Sequence, residues 1–196
     1  MRKTIIIVGV IILIALFTIF PAISTYNGLV GSNQDVKAAW SQVENVYQRR
    51  LDLIPNLVNT VKGAANFEKS TLTAVIEARA KATQVTIDPS RMTADNMKHF
   101  QETQGQLGSA LSRLMVSVER YPDLKANQGF MNLQAQLEGT ENRITFERSK
   151  FNDVVVQYNN KVTKFPSNMF ASMFGFKEKP YFTADVAAAK APTVQF

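Results

Sequence analysis

The chain has 196 residues, of which 45% are hydrophobic, and its 22 basic and 16 acidic side chains leave a net charge of +6. This length accommodates one ordinary domain with short appendages, and the hydrophobic content is enough to fill one core. The absence of cysteine excludes disulfides, thiolate metal sites, cysteine nucleophiles and a lipidated cysteine anchor. The basic residues are scattered, with no basic block longer than Arg49-Arg50, which argues against a nucleic-acid-binding protein.

The N-terminal segment carries no charge from Thr4 through Gln34 and is rich in isoleucine. As a helix, residues Ile5 to Ile23 extend about 28 Å, close to the ~30 Å hydrocarbon thickness of a bilayer. A cleaved signal peptide is the alternative, because Ala22 and Ser24 are small residues suited to a cleavage site. The apolar run is longer than the core of a signal peptide, which favours a membrane anchor helix over residues 1–25.

The flanks of this segment predict where it ends and how it is oriented. Pro21 is expected to help end the span, and Tyr26 suits the headgroup level. Arg2 and Lys3 precede the span, whereas the next basic residue is Lys37. By the positive-inside rule, we expect a single-pass membrane protein with its N-terminus in the cytoplasm and the rest of the chain on the other side of the membrane.

The soluble part begins with apolar residues spaced three and four apart from Val36, which predicts an amphipathic helix that includes Trp40. Pro55 lies inside this helix and is expected to bend it, because proline removes one backbone hydrogen bond. Gly63 is expected to close this first element. A second helix is predicted over Phe67–Thr83.

Two further helices follow. Asp88 and Pro89 are expected to cap a third helix, whose apolar stripe runs to Val118. The fourth and longest is predicted from about residue 127 to 164, with Pro166 ending it. Rods of this length are stable only when their apolar stripes are buried, and no alternating strand pattern of useful length is present. The sequence therefore predicts an all-α fold in which the anchor precedes an antiparallel bundle of three to four long helices.

The bundle is expected to occupy residues 26–176, and residues 177–196 are expected to form a flexible tail. The tail is rich in alanine, proline and lysine and has no apolar stripe.

Several long segments resemble a known family. They are YNGLV (26–30), residues 38–82 with the run AWSQVENVYQRRLDLIPNLVNTVKG, YPDLKAN (121–127), EGTENRITFERSKFNDVVVQYNNKV (138–162) and FPSNMFASMFGFKEKPYF (165–182). On these motifs the chain resembles the bacterial LemA family across almost its whole length. The resemblance implies a single-pass membrane protein with a mostly antiparallel helical bundle and no established enzyme activity, in a group that includes a magnetosome membrane protein. It implies no catalytic residues.

The residues themselves offer little for catalysis. His99 is the only histidine, and its place beside Phe100 on an amphipathic helix indicates a surface or boundary position rather than a general base. Bundle di-metal centres need paired Glu-x-x-His motifs, which the chain lacks. Three glutamates of the fourth helix are best explained by a solvated face or by salt bridges to nearby basic residues: Glu138, Glu141 and Glu147. We therefore expect no enzyme activity, cofactor or metal.

A set of polar residues lies on or beside the apolar seams: Arg50, Asn59, Gln104, Glu141 and Arg148. One hypothesis is that some of them form a buried polar layer that fixes the register of the helices. The alternative is that the long arginine side chains extend outward to solvent. The residue types do not distinguish between the two.

A short apolar segment after the fourth helix holds five large side chains: Met169, Phe170, Met173, Phe174 and Phe176. They are expected either to cap one end of the bundle or to form an exposed patch that contacts lipid or a partner subunit.

The expected function is that of a membrane-anchored, non-enzymatic scaffold or assembly protein of the cell envelope, acting through self-association or through other envelope proteins. The alternative is a regulatory or sensory module that responds to a ligand or stress by bending near Pro55. Membrane lipid is an expected partner in both cases, and nucleic acid is not.

Overall fold

The structure is a computed structural model, and it describes residues 2–63 and 67–183. Within these residues the chain is all-α, which confirms the predicted fold class. The helices are α1 (Arg2–Lys62), α2 (Lys69–Gln84), α3 (Ala94–Val118), α4 (Pro122–Lys125), α5 (Gln128–Thr163) and α6 (Ser167–Met173).

Helix α1 is continuous over 61 residues and passes through both Pro21 and Pro55. At 1.5 Å per residue it is about 92 Å long. The helix therefore runs past Pro21 and on into the bundle. A proline removes a single hydrogen bond, and a helix that is propagated on both sides tolerates that loss. No helix among the described residues has the length and the apolar character that crossing a membrane requires, so the anchor over residues 1–25 stays a prediction.

Among the described residues, α1, α2, α3 and α5 form an up-down-up-down bundle. Helices α1 and α5 are antiparallel, because Ser32 pairs with Lys161 while Arg50, further along α1, pairs with the earlier residue Glu141. Helices α2 and α3 are also antiparallel, since Glu68 at the start of α2 binds Arg120 just past the end of α3. The short helices α4 and α6 lie at opposite ends of α5.

The core of the bundle consists of two clusters. One is aliphatic and contains Leu57, Leu107 and Leu114. The other is aromatic and surrounds Trp40, whose ring contacts Phe100 and Phe151 edge-on with centroids 5.4 and 5.5 Å away. Burial of these side chains offsets the conformational entropy that long helices lose on folding.

Helix α3 begins later than the sequence analysis expects. Its N-cap is Thr93, whose side chain accepts from the Asn96 amide while the Asn96 side chain accepts from the Thr93 amide. Asp88, the predicted cap, instead accepts from the Ser90 amide in a turn. The reciprocal pair satisfies two free amides at once, which favours the start at Ala94.

Residues 177–183 form an extended strap that lies against the bundle, so the prediction of a flexible tail from Lys177 is wrong for this stretch. Phe182 is buried in the aromatic cluster, with its ring stacked 5.9 Å from that of Trp40. Among residues 177–183 only Lys179 and Phe182 are buried, and two residues form no helical stripe, which is why the helix pattern does not reveal the strap. Residues 184–196 of the predicted tail lie outside the described residues.

Candidate functional site

The most polar feature of the interior lies between the two core clusters. Arg50 is 4% exposed and its Nη1 donates to Glu141 Oε2 at 3.0 Å. Its Nη2 donates to Oε1 of Gln104 and, at 3.4 Å, to the backbone oxygen of the same residue. The guanidinium also lies 5.1 Å from the ring centre of Tyr47. These residues join α1, α3 and α5, and we refer to Arg50, Gln104 and Glu141 as the ionic layer.

The positions of the two core clusters explain why these three residues meet. On its own helix, each residue lies between the part that enters the aromatic cluster and the part that enters the aliphatic cluster. All three therefore lie at the same height along the bundle. The pair is only partly buried, because the Glu141 side chain is 59% exposed while that of Arg50 is 4% exposed. The buried cation is thus satisfied by a neutral amide inside and a solvated carboxylate at the edge, although its Nε has no partner among the described residues.

The other two seam residues are not part of this layer. Arg148 lies two turns further along α5, where its Nη2 donates to the Thr183 oxygen at 3.1 Å and its guanidinium lies 4.8 Å over the Phe182 ring. Asn59 is exposed on α1. Burial raises the pKa of Tyr47, and the positive charges of Arg148 and Arg50 partly oppose that rise.

A groove of about 310 Å³ lies between α3 and α5 beside the ionic layer. Its walls include Leu111, Met115 and Leu137, and Arg50 and Glu141 lie at one side. Gly108 lines the groove, and a methyl group added there would meet no atom within 4 Å. The sequence analysis missed this groove because it depends on the spacing between two helices that are distant in the chain.

The apolar segment after α5 is buried in part and exposed in part. Ala171 is buried and Phe170 and Phe176 are half-buried, so part of the segment closes the end of the bundle. Met169, Met173 and Phe174 face outward, with exposures of 65%, 66% and 41%. Phe165, which the sequence analysis leaves out of this patch, is 79% exposed beside them.

This segment also contacts α1. The ring of Tyr26 lies edge-on to Phe174 with centroids 4.9 Å apart, and it lies 6.1 Å from the ring of Phe176. The end of the bundle that α6 covers is therefore the end from which the N-terminal part of α1 extends.

Two asparagines of α5 hold the strap. Asn159 donates to the Lys179 oxygen and accepts from the Lys179 amide, both at 2.8 Å. Asn152 makes the same pair of bonds to the backbone of Phe182, at 2.9 and 2.8 Å. Sequence reasoning missed both residues, although a buried asparagine on an apolar seam is a signal that a backbone segment is bound there.

Lys179 ties the strap to the connector before α3. Its Nζ donates to the Pro89 oxygen at 2.9 Å. Burial and the charge of Lys37 lower the pKa of Lys179, and Asp88 opposes this change.

The residues considered for catalysis are dispersed. His99 is exposed on α3. It lines neither the groove between α3 and α5 nor a second groove, which lies between α1, α2 and α3. Glu147 is 3% exposed and binds Arg143 at 3.0 Å. Within residues 2–63 and 67–183, no group of three or more histidine, aspartate or glutamate side chains is arranged to hold a metal ion.

Comparison with known proteins gives one family and several relatives. Residues 39–196 match the LemA family. Magnetosome protein MamQ of Magnetospirillum gryphiswaldense is 28% identical over 192 residues, which cover 89% of this chain and 70% of MamQ. Magnetosome protein MamQ 2 of Paramagnetospirillum magneticum is 28% identical over 174 residues, covering 80% of this chain and 64% of the relative. Protein LemA of Metamycoplasma hominis is 23% identical over 165 residues, covering 84% and 72%.

Proposed function

Because this chain belongs to the LemA family, we propose that it is a membrane-anchored, non-enzymatic helical scaffold of the bacterial cell envelope that acts through self-association or partner binding. The family membership and the magnetosome proteins among its relatives support an association with membranes. The inner membrane, with the bundle on the periplasmic side, is the location that the charges of Arg2 and Lys3 favour.

The observation that carries the proposal is the continuity of α1. The same helix contains the apolar N-terminal segment and one complete edge of the bundle, without a loop between them. A continuous helix fixes the position and orientation of the bundle relative to the anchor, whereas a flexible linker would leave both free to vary. Surfaces on the bundle are therefore held at defined heights above the membrane, which is the property that an assembly protein needs.

The ionic layer supports the same role. A single buried polar group among apolar layers disfavours slipped helix pairings, because a slip would leave the charge without its partner. We propose that Arg50, Gln104 and Glu141 set the register of α1, α3 and α5. The bundle then presents one constant surface to partners.

A non-enzymatic role fits the position of the only histidine. His99 lies on the exposed face of α3 and lines neither the groove between α3 and α5 nor the groove between α1, α2 and α3, where a substrate would be partly desolvated.

The first experiment measures particle mass. The full chain is purified in a mild detergent and its protein mass is determined by light scattering. We expect a particle that contains several copies, or a defined partner in constant ratio. A strictly monomeric particle without any co-purifying protein would contradict the proposed function.

A second experiment tests whether the bundle is held rigidly. From Tyr26 to Lys62, α1 rises about 54 Å. The Phe67 and Tyr121 rings, 4.9 Å apart, place Asp123 near that distant end. Fluorescent labels at Asp123→Cys and, as a near control, at Asp35→Cys are measured against labelled lipid in nanodiscs. A rigid bundle predicts one narrow distance for each label, whereas a broad distribution for Asp123→Cys alone would indicate a hinge.

A regulatory module is the second candidate, and the groove beside the ionic layer favours it. A ligand that entered the groove would contact Arg50 and Glu141 and could shift the balance of that pair. This function requires two bundle conformations, so a second distance for the Asp123→Cys label under a change of ligand or stress would favour it over the scaffold.

A further inference from the structure

The outer side of α6 and its flanks expose an unusual amount of apolar surface. Phe165, Met169, Met173 and Phe174 lie within ten residues and are 79%, 65%, 66% and 41% exposed. Single exposed apolar residues are common on soluble proteins, but a contiguous group of large ones marks a contact with lipid or protein. We call these four residues the end-cap surface.

This surface is held in place by the rest of the segment. Ser167 Oγ donates to the Lys161 and Lys164 oxygens at the end of α5, at 2.6 and 2.8 Å. After α6, the Phe176 amide donates to the Ala171 oxygen at 2.9 Å around Gly175, whose φ of 76° suits glycine. The four side chains are thus exposed by a fixed backbone that buries Ala171 beneath them.

The position of the end-cap surface suggests what covers it. On α1, Ile19, Ile23 and Tyr26 are spaced four and three residues apart, so they share one face of the helix. Ile19 and Ile23 are each 55% exposed. Tyr26 is the residue that contacts Phe174. The exposed apolar face of the predicted anchor therefore leads directly to the end-cap surface.

The nearby charges fit a bilayer surface as well. Lys164 and Lys177 flank the segment and are both exposed. Lysine side chains can reach lipid phosphates while neighbouring apolar residues enter the boundary between headgroups and acyl chains. An aromatic residue such as Tyr26 is favoured at the same depth.

We propose that the end-cap surface lies in the interfacial region of the same bilayer that holds the N-terminal anchor, so that the bundle contacts lipid at a second place besides α1. The proposal rests on the membrane anchor of the proposed function. A second contact beside α1 would add to the restraint that the continuous helix places on the tilt of the bundle.

The absence of cysteine allows a direct test, because one introduced cysteine carries the only label. Spin labels are placed in the full chain at Met169→Cys and Met173→Cys, in nanodiscs of phosphatidylcholine and phosphatidylglycerol. Accessibility to oxygen, which enters the bilayer, is compared with accessibility to a water-soluble nickel complex. Val116→Cys on α3 is the matched control, since Val116 is apolar and 71% exposed but lies toward the other end of the bundle.

Leu13→Cys reports on the anchor itself. We expect the ratio of oxygen to nickel accessibility to be high at position 13 and low at position 116. At positions 169 and 173 we expect this ratio to be several-fold higher than at position 116. Circular dichroism and Trp40 fluorescence confirm that each labelled chain is folded, and both methionines are exposed enough for substitution to be harmless.

The outcomes separate the two proposals. If position 13 is in lipid while positions 169 and 173 match position 116, the end-cap surface is not in the bilayer and only this inference fails. If position 13 is in water, the anchor and the inference both fail. Protection of positions 169 and 173 from both reagents would show that protein and not lipid covers the surface, and it would also overturn the inference.

Discussion

Replacing Phe182 by alanine tests whether the strap is part of the folded core. The Phe182 side chain is 5% exposed and contacts the rings of Trp40, Phe100 and Phe151. A buried phenylalanine-to-alanine change costs about 3–5 kcal/mol, and loss of the contact with the Arg148 guanidinium adds roughly 0.5–1 kcal/mol. Because a strap can relax more than a helix, we expect a total near the lower end of the sum, about 3.5 kcal/mol.

Unfolding of the full chain by guanidinium in mild detergent, followed by circular dichroism, measures this cost. Trp40 is the only tryptophan and is fully buried, so its fluorescence reports on the same site. Removal of the stacked Phe182 ring should admit water and shift the emission to longer wavelength. Phe146→Ala is the matched control, because Phe146 is 56% exposed and the same change should cost less than about 0.5 kcal/mol.

The reasoning is refuted if both variants unfold at the same denaturant concentration, or if Trp40 emission is unchanged in Phe182→Ala. Equal unfolding of the two variants would mean that residues 177–183 do not contribute to the core in solution. A loss of stability without a shift in emission would mean that the strap packs on the bundle but does not shield Trp40 from water.

Three further predictions concern the bundle. Glu141→Leu removes the carboxylate that pairs with Arg50. It should lower the free energy of unfolding by about 1–2 kcal/mol, since charged hydrogen bonds contribute ~1.5–3 kcal/mol and this carboxylate is partly solvated. An unaltered unfolding curve and particle mass would argue against a register role. Gly108→Ala should raise stability by up to ~1 kcal/mol in the same assay, because alanine favours helix and its methyl group meets open space; a decrease would mean that the groove is narrower than described. Tyr158→Phe breaks the bond from its hydroxyl to the Lys177 oxygen, 3.0 Å long, and should cost about 1 kcal/mol near neutral pH. Burial raises the pKa of Tyr158, so the phenol ionises first in the unfolded chain, above about pH 10, and the free energy of unfolding falls as pH rises from there. Tyr158→Phe should lose less stability than the unchanged protein over this alkaline range. Equal losses in both proteins would show that the Tyr158 hydroxyl is not buried in solution.

The helices of this protein follow from its sequence because each is specified locally. Apolar residues spaced three and four apart predict α2, α3 and α5 without knowledge of their partners, and the need to bury those stripes predicts an all-α fold. The LemA resemblance, confirmed by the family match over residues 39–196, rests on the same local strings of residues. A local signal failed at the start of α3, where the reciprocal pair of Thr93 and Asn96 caps the helix and Asp88 does not.

The candidate sites were only partly visible in the sequence. Arg50, Gln104 and Glu141 could be selected as polar residues on apolar seams, but Arg148 and Asn59 met the same criterion and lie elsewhere. A seam position specifies a face of a helix and not a height relative to other helices, so the pairing depends on how the helices are aligned.

What the sequence by itself determined was therefore the four long helices of the bundle, the all-α class and the family. The tertiary structure decided which polar residues meet, which side of α6 is exposed, and that the strap carries Phe182 into the core beside Trp40. The physical reason is that helix periodicity is set by residues a few positions apart, whereas these contacts join residues that are distant in the chain. In addition, a strap that is bound through asparagine side chains has no periodicity from which it could be predicted.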